Sequence, residues 1–134
     1  MKYILLMQYA IQDLNTKGVP AWTPEDVQGN QAFLKKFHQE LTEAGELVQT
    51  VPLVHPGQTR LVTARKGAPP VISDGPFPET KEFVGGFWMI DVDGPDRAYE
   101  VAARLSTLPG QGGVAANMPI EVRQVMDHRA SGEA

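Results

Sequence analysis

The sequence predicts an α+β fold: a ferredoxin-like sandwich, built βαβ, hairpin, βαβ, with an antiparallel sheet and both helices on one of its faces. Two stretches, 23–45 and 93–109, repeat apolar residues at helical spacing. Each lies between short apolar runs of strand length, 3–9 and 47–54 about the first, 83–92 and 120–126 about the second. Between the halves, 59–64 and 71–72 flank a basic, Pro/Gly-rich tip and read as a hairpin. Strands and helices in this order place one sheet under two helices.

Each element has a local reason. Residues 3–9 are nearly continuously apolar and short, as in a buried strand. Residues 12–21 are a polar loop. The first helix opens with Thr23 as N-cap, Pro24 at the first helical position and Glu25 and Asp26 in the first turn. Its expected apolar stripe is Val27, Leu34, Phe37, Leu41 and Ala44, and Gly45 is its stop. Trp22 is placed to staple the helix start near Val27, or to cover a pocket. Pro52 removes a ladder donor from the second strand, which puts that strand at an edge or a bulge.

The hairpin tip 65–70 is expected in solvent. Gly85-Gly86 in the next strand predicts a bulge or a close backbone approach. The second helix should start near Asp93–Asp96 and bury Ala98, Val101, Ala102 and Leu105 before Pro109-Gly110 ends it. A Gly-rich loop, 111–117, then leads to the last strand.

Length suits one domain, 1–127, followed by a polar tail, 128–134. At 42% hydrophobic and 21% charged, the chain can build a core. A formal charge of −4 argues against nucleic acid or an anionic membrane as the main partner. Gly85-Gly86-Phe87-Trp88 resembles an RNA-recognition strand, but Phe83 and Val84 stand where that motif needs a basic residue. No stretch is long enough to span a bilayer. The absence of cysteine excludes disulfides and fits a reducing compartment, so the expectation is a cytoplasmic protein. No metal and no cofactor are expected, because no two histidines have ligand spacing and no phosphate-cradling or dinucleotide motif is present.

The densest chemistry lies in 73–82, where two prolines, one glycine, three carboxylates and a lysine adjoin an apolar strand. Pro76 and Pro78 stiffen the segment. Asp74, Glu79 and Glu82 can crowd carboxylates at a pocket and so poise one for proton transfer. Equally, Asp74 can simply tie down the Asp-Gly turn while the glutamates stay solvated. Immobilised by the prolines, Asp74 is the first candidate. Thr80 and Lys81 can meet an anionic ligand, or Lys81 can pair with Glu79 or Glu82. His38 borders the first helix's stripe and is the second proton-transfer candidate; its plainer role is a half-buried boundary histidine. The ligand-contacting set is completed by Phe77, Glu79 and Trp88. Phe87 to Ile90 are four large apolar residues in succession, so both faces of that strand are apolar. The face away from the helices needs a cover, and a second copy of the chain is expected to supply it.

Asp74-Gly75-Pro76-Phe77, Glu79-Thr80-Lys81-Glu82, Gly85-Gly86-Phe87, Ile90-Asp91-Val92-Asp93 and Glu121-Val122-Arg123 with Val125-Met126 resemble the DGPF-domain, YCII-related family. Met1-Lys2-Tyr3 and Ala44-Gly45 fit the same pattern, and the likeness spans 1–127. It implies a ferredoxin-like fold that dimerises as an α/β barrel and leaves the reaction open. The wider group is proposed to carry a His–Asp pair in a pocket. Its helix position for the histidine falls near Leu34 here, with His38 one turn later, and Gln124 stands where proline is usual. Many members are encoded near extracytoplasmic-function sigma factors.

Two functions follow as expectations. One is a homodimer binding a small organic molecule in a pocket edged by Asp74, with acid–base catalysis as an extension. The other is a non-enzymatic interaction or regulatory module working with a sigma factor.

Overall fold

A computed structural model of the chain describes residues 1–10, 22–53, 56–75 and 82–126. The elements run β1 (Lys2–Ala10), α1 (Pro24–Glu43), β2 (Leu47–Pro52), β3 (Arg60–Arg65), β4 (Ala68–Asp74), β5 (Glu82–Asp91), α2 (Pro95–Ser106) and β6 (Ile120–Gln124). Four strands form one antiparallel sheet in the order β2-β5-β1-β6. Strands β3 and β4 form a separate two-stranded sheet. This α+β arrangement, with its two interleaved βαβ halves, is compatible with a ferredoxin-like fold.

The core lies between the four-stranded sheet and the helices. Tyr3, Leu5 and Met7 of β1 and Trp88 and Ile90 of β5 point into it. They meet Phe37 and Leu41 of α1 and Ala98, Val101, Ala102 and Leu105 of α2. The α2 face is the one its spacing predicts. Side chains such as Leu5, Phe37 and Leu105, all at 0% exposure, each contribute roughly 1.5–3 kcal/mol by burial.

Helix α1 starts and stops as its residues dictate. Thr23 Oγ1 accepts from the Asp26 N–H, and the Asp26 carboxylate accepts from the Thr23 N–H, a reciprocal capping box. At the far end Gly45 takes φ +72°, and the Gly45 and Glu46 N–H groups donate to Thr42 and Leu41 carbonyls. That is the Schellman closure for which glycine is suited.

Leu34, Phe37 and Leu41 of the expected α1 stripe face the core, but its two ends do not. Val27 is 39% exposed and Ala44 is exposed. The inward line is Asp26, Asn30, Phe33, Phe37 and Leu41, and its first two members are polar. Asp26 Oδ1 accepts from the Gly112 N–H at 3.0 Å, and Asn30 Nδ2 donates to the Pro109 carbonyl at 3.0 Å. The start of α1 is thus held to the loop after α2 by hydrogen bonds instead of by apolar packing. Trp22 sits at this junction with its ring beside Gly110.

The hairpin also differs from expectation. Its turn is only Lys66-Gly67, with Gly67 at φ +71°, and Pro69 and Pro70 lie inside β4 instead of in a long tip. A two-stranded ribbon is all edge, so the missing proline donors cost no central ladder bond. Arg65 Nε donates to the Pro69 carbonyl at 2.9 Å and braces the turn. Strand β2 is an edge strand with a register slip between Leu47 and Gln49, as its proline suggested. Both glycine expectations for β5 hold. The β1–β5 register slips between Met7 and Gln8, where Gly86 and Val84 are successive partners and Gly85 is the extra residue. A Cβ on Gly86 would lie 3.2 Å from the Val51 carbonyl oxygen and 3.4 Å from Pro52 Cα.

Two stability outcomes follow. Asp26→Ala removes a buried carboxylate that accepts two backbone N–H bonds and should cost about 1–3 kcal/mol in urea unfolding. Gly86→Val should cost at least as much, because the obstructing atoms are backbone; Gly29→Ala, inside α1 with open space around it, serves as the control and should stabilise by up to about 1 kcal/mol in the same assay.

Candidate functional site

His38 and Trp88 are brought together across 50 residues of sequence. Helix α1 carries His38 one residue round from the buried Phe37, and β5 turns Trp88 inward opposite Leu5 and Thr50. Trp88 is 6% exposed, and its indole Nε1–H donates to His38 Nε2 at 2.8 Å. The rings lie 6.3 Å apart between centroids, tilted by 38°. Phe37 and Phe33 continue the aromatic line along α1, and the Arg104 guanidinium covers the Phe37 ring at 5.4 Å.

This bond sets the chemistry of His38. An indole N–H only donates, so Nε2 must hold a lone pair and the ring proton sits on Nδ1. Burial lowers the His38 pKa from its ordinary value. Protonating Nε2 would also set two N–H groups against each other. At rest His38 is therefore a neutral imidazole whose acceptor is occupied and whose Nδ1–H is the group it can offer. Trp88, an expected ligand contact, is a core residue facing the helices.

Asp74 is elsewhere. It is the last residue of β4, paired in register with Arg60. Its Oδ1 lies 3.3 Å from Arg60 Nε, and its side chain is 91% exposed. A pair this wet contributes about 0–1 kcal/mol, so the carboxylate is not locked away from other partners. The structure does not join Asp74 to the His38–Trp88 pair. Phe77, Glu79, Thr80 and Lys81 lie outside the described residues, as do His55 and His128. Among the described residues no cluster of His, Cys, Asp or Glu is arranged to hold a metal ion, and no helix is long and apolar enough to cross a membrane.

Clefts lined by described residues include the following pair. One, of about 380 Å³, runs between α2 and β6 and is lined by Tyr99, Ala102, Met118, Ile120 and Val122 among others. The second is polar and gathers Gly45, Glu46, Asp91, Asp93 and Arg97. Neither contains His38, Trp88 or Asp74. In the polar cleft Arg97 grips Glu46 through two nitrogens at 2.8 and 2.9 Å and reaches Glu100 at 3.1 Å. The hydrogen bond from Arg97 lowers the Glu46 pKa, and the same bonds raise that of Arg97. Sequence reasoning missed this clamp, which joins residues 51 apart. It ties the start of β2 to α2 and is structural in character.

The outer face of the four-stranded sheet carries the remaining feature. Ile4 and Leu6 of β1 stand opposite Met89 and Phe87 of β5, with Val51 of β2 beside Phe87. All five are only half-buried. Both helices cover the other face, so these side chains form one apolar patch of the described surface.

With fold, site and patch in view, comparison with known proteins is decisive at the level of family. Residues 1–123 match the YCII-related domain. The chain belongs to this family. An uncharacterised protein of Rhizobium meliloti (strain 1021) is 35% identical over 102 residues, covering 75% of this chain and 81% of the relative. Neither match specifies a reaction, so the function of this YCII-related protein rests on its own residues.

His38 gives a pH-dependence with a definite sign. Its folded pKa lies below the 6.5 of free imidazole, so the unfolded chain takes up the proton first as pH falls. The stabilising contribution is complete above about pH 6.5 and is lost as pH falls through the folded value. Thermal unfolding from about pH 7.5 to about pH 5.5 should show a smaller drop in Tm for His38→Gln than for wild type, since the glutamine amide oxygen can accept from Trp88 without titrating.

Proposed function

We propose that this YCII-related protein is a homodimer whose sheets pack face to face as an α/β barrel, and that it binds a small organic molecule in a pocket edged by Asp74. The observation that carries the proposal is the patch of Ile4, Leu6, Val51, Phe87 and Met89 on the uncovered sheet face. An apolar surface of this kind is a liability in a lone subunit and an association surface in an assembly. Two sheets packed on such faces would stack about 10 Å apart.

The chemistry favours binding over catalysis. Asp74 is an exposed carboxylate at a strand end, free to meet a cationic or hydrogen-bond-donating ligand. His38 can act as a proton acceptor only after Trp88 releases Nε2. Proton transfer is therefore an extension of this reading that needs a rearrangement at His38.

A second reading uses the same patch. An interaction or regulatory module, the role suggested by the sigma-factor neighbourhood of similar proteins, would cover the face with a different chain. The dimer is favoured because Ile4, Leu6, Phe87 and Met89 lie side by side as one uniformly apolar row, and a two-fold contact sets such a row against its own copy with no second chemistry needed.

Light scattering should give twice the 14.6 kDa mass of one chain, and Phe87→Glu should shift it to the mass of one chain. A thermal-shift screen of small organic cations, amides and acids should then find ligands whose stabilisation falls at least about tenfold in affinity in Asp74→Asn. Equal binding by Asp74→Asn would remove Asp74 from the pocket. A stoichiometric heterologous partner together with a monomeric free chain would support the module instead.

A further inference from the structure

The β3–β4 hairpin is not part of the core. Every residue of β4 is exposed, as is every residue of β3 except Leu61. Val62 and Ile72 stand directly opposite each other, each 65% exposed, and Val71 adds a third apolar side chain at 41%. A lone two-stranded ribbon is marginally stable at best in water, and its edges offer unpaired backbone groups to any neighbour. A ribbon with this composition gains its stability from what it packs against.

Charge indicates what that is. The hairpin carries Arg60, Arg65 and Lys66 against Asp74, a net +2. The whole chain is at −4, so the remainder is at −6. A cationic arm on an anionic body is self-complementary: in a two-fold pair each arm meets the other body, and the attraction is satisfied twice. Position agrees. β3 follows β2 and β4 leads into β5, the strands that carry Val51, Phe87 and Met89 on the uncovered sheet face. Arm and patch thus belong to connected parts of the chain.

We propose that the β3–β4 hairpin is an intersubunit arm, laying its Val62–Ile72 face on a second copy of this chain. The inference rests on the dimer reading above and goes beyond it, because a face-to-face sheet dimer does not itself require the hairpins to cross. The arm's embrace also covers its base, where Arg60 and Asp74 stand, and so brings Asp74 to a seam between subunits.

The chain has no cysteine, so Val62→Cys, at an exposed position, creates a single thiol for a benzophenone cross-linker. This labelled protein is mixed with ¹⁵N-labelled chain by dilution and reconcentration, illuminated, and mapped by peptide mass spectrometry. The expected result is cross-links from position 62 of the light chain to heavy-chain peptides. Hydrogen exchange gives an independent readout without substitution. The Thr63 and Ile72 amides should exchange at least about tenfold more slowly in the dimer than in chain diluted to monomer. A wild-type mass of one chain at all concentrations overturns the dimer reading and the arm with it. Twice that mass, with cross-links confined to the arm's own chain and exchange unchanged on dilution, leaves the dimer standing and overturns the arm.

Discussion

The structure depends on β5 being apolar on both sides while sitting between two strands. Its hydrogen-bonding edges are occupied by β1 and β2, so it cannot turn away from either face of the sheet. Trp88 and Ile90 must point at the helices, and Phe87 and Met89 must point away. The first pair organises the core. The second pair leaves the sheet with apolar surface that the same chain's helices cannot cover, because both already lie on the other side. The core and the uncovered apolar face are thus two outcomes of one alternating run of four residues.

The inward pair also explains His38. A buried indole N–H requires an acceptor, and the half-buried imidazole one helix away supplies it at 2.8 Å. The bond fixes the tautomer and engages the lone pair a general base would use. A histidine that looks catalytic by position is, in the resting fold, the group that lets a tryptophan enter the core. Asp74 shows the converse. It ends β4 on the ribbon, and its salt bridge to Arg60 leaves it in water in the single chain.

Much of this was legible in the sequence because it depends on local rules. The Thr23–Pro24–Asp26 start of α1, the Gly45 stop, the buried face of α2, the edge position of β2 and the Gly85-Gly86 irregularity each follow from residues within a turn or two. The misreadings involve distant partners. The middle of the α1 stripe was legible but its start was not: Asp26 and Asn30 face inward where Val27 was expected, and their reason for doing so is backbone some 80 residues later. Pro69 and Pro70 read as part of a tip because the stretch is basic and rich in proline and glycine, and nothing local says that it continues a ribbon with no centre. The His38–Trp88 bond was within reach of sequence reasoning: a tryptophan on a core strand needs an acceptor, and His38 borders the inward face of α1.

The extra residue at Gly85 has an effect beyond easing a close approach. Pleating assigns alternate residues to alternate sides, and one unpaired residue reverses that assignment for everything on its far side. Met7 and Gly86 are inward partners, yet the next pair, Gln8 and Val84, places an even-numbered β5 residue on the outer surface. Val84, 40% exposed, therefore sits on the same side as Phe87 and Met89. Without that phase reversal the strand would enter the sheet with Val84 beneath the helices. The unpaired Gly85 thereby adds Val84 to the greasy exterior, which a regular pairing of Gly85 with Gln8 would have turned inward.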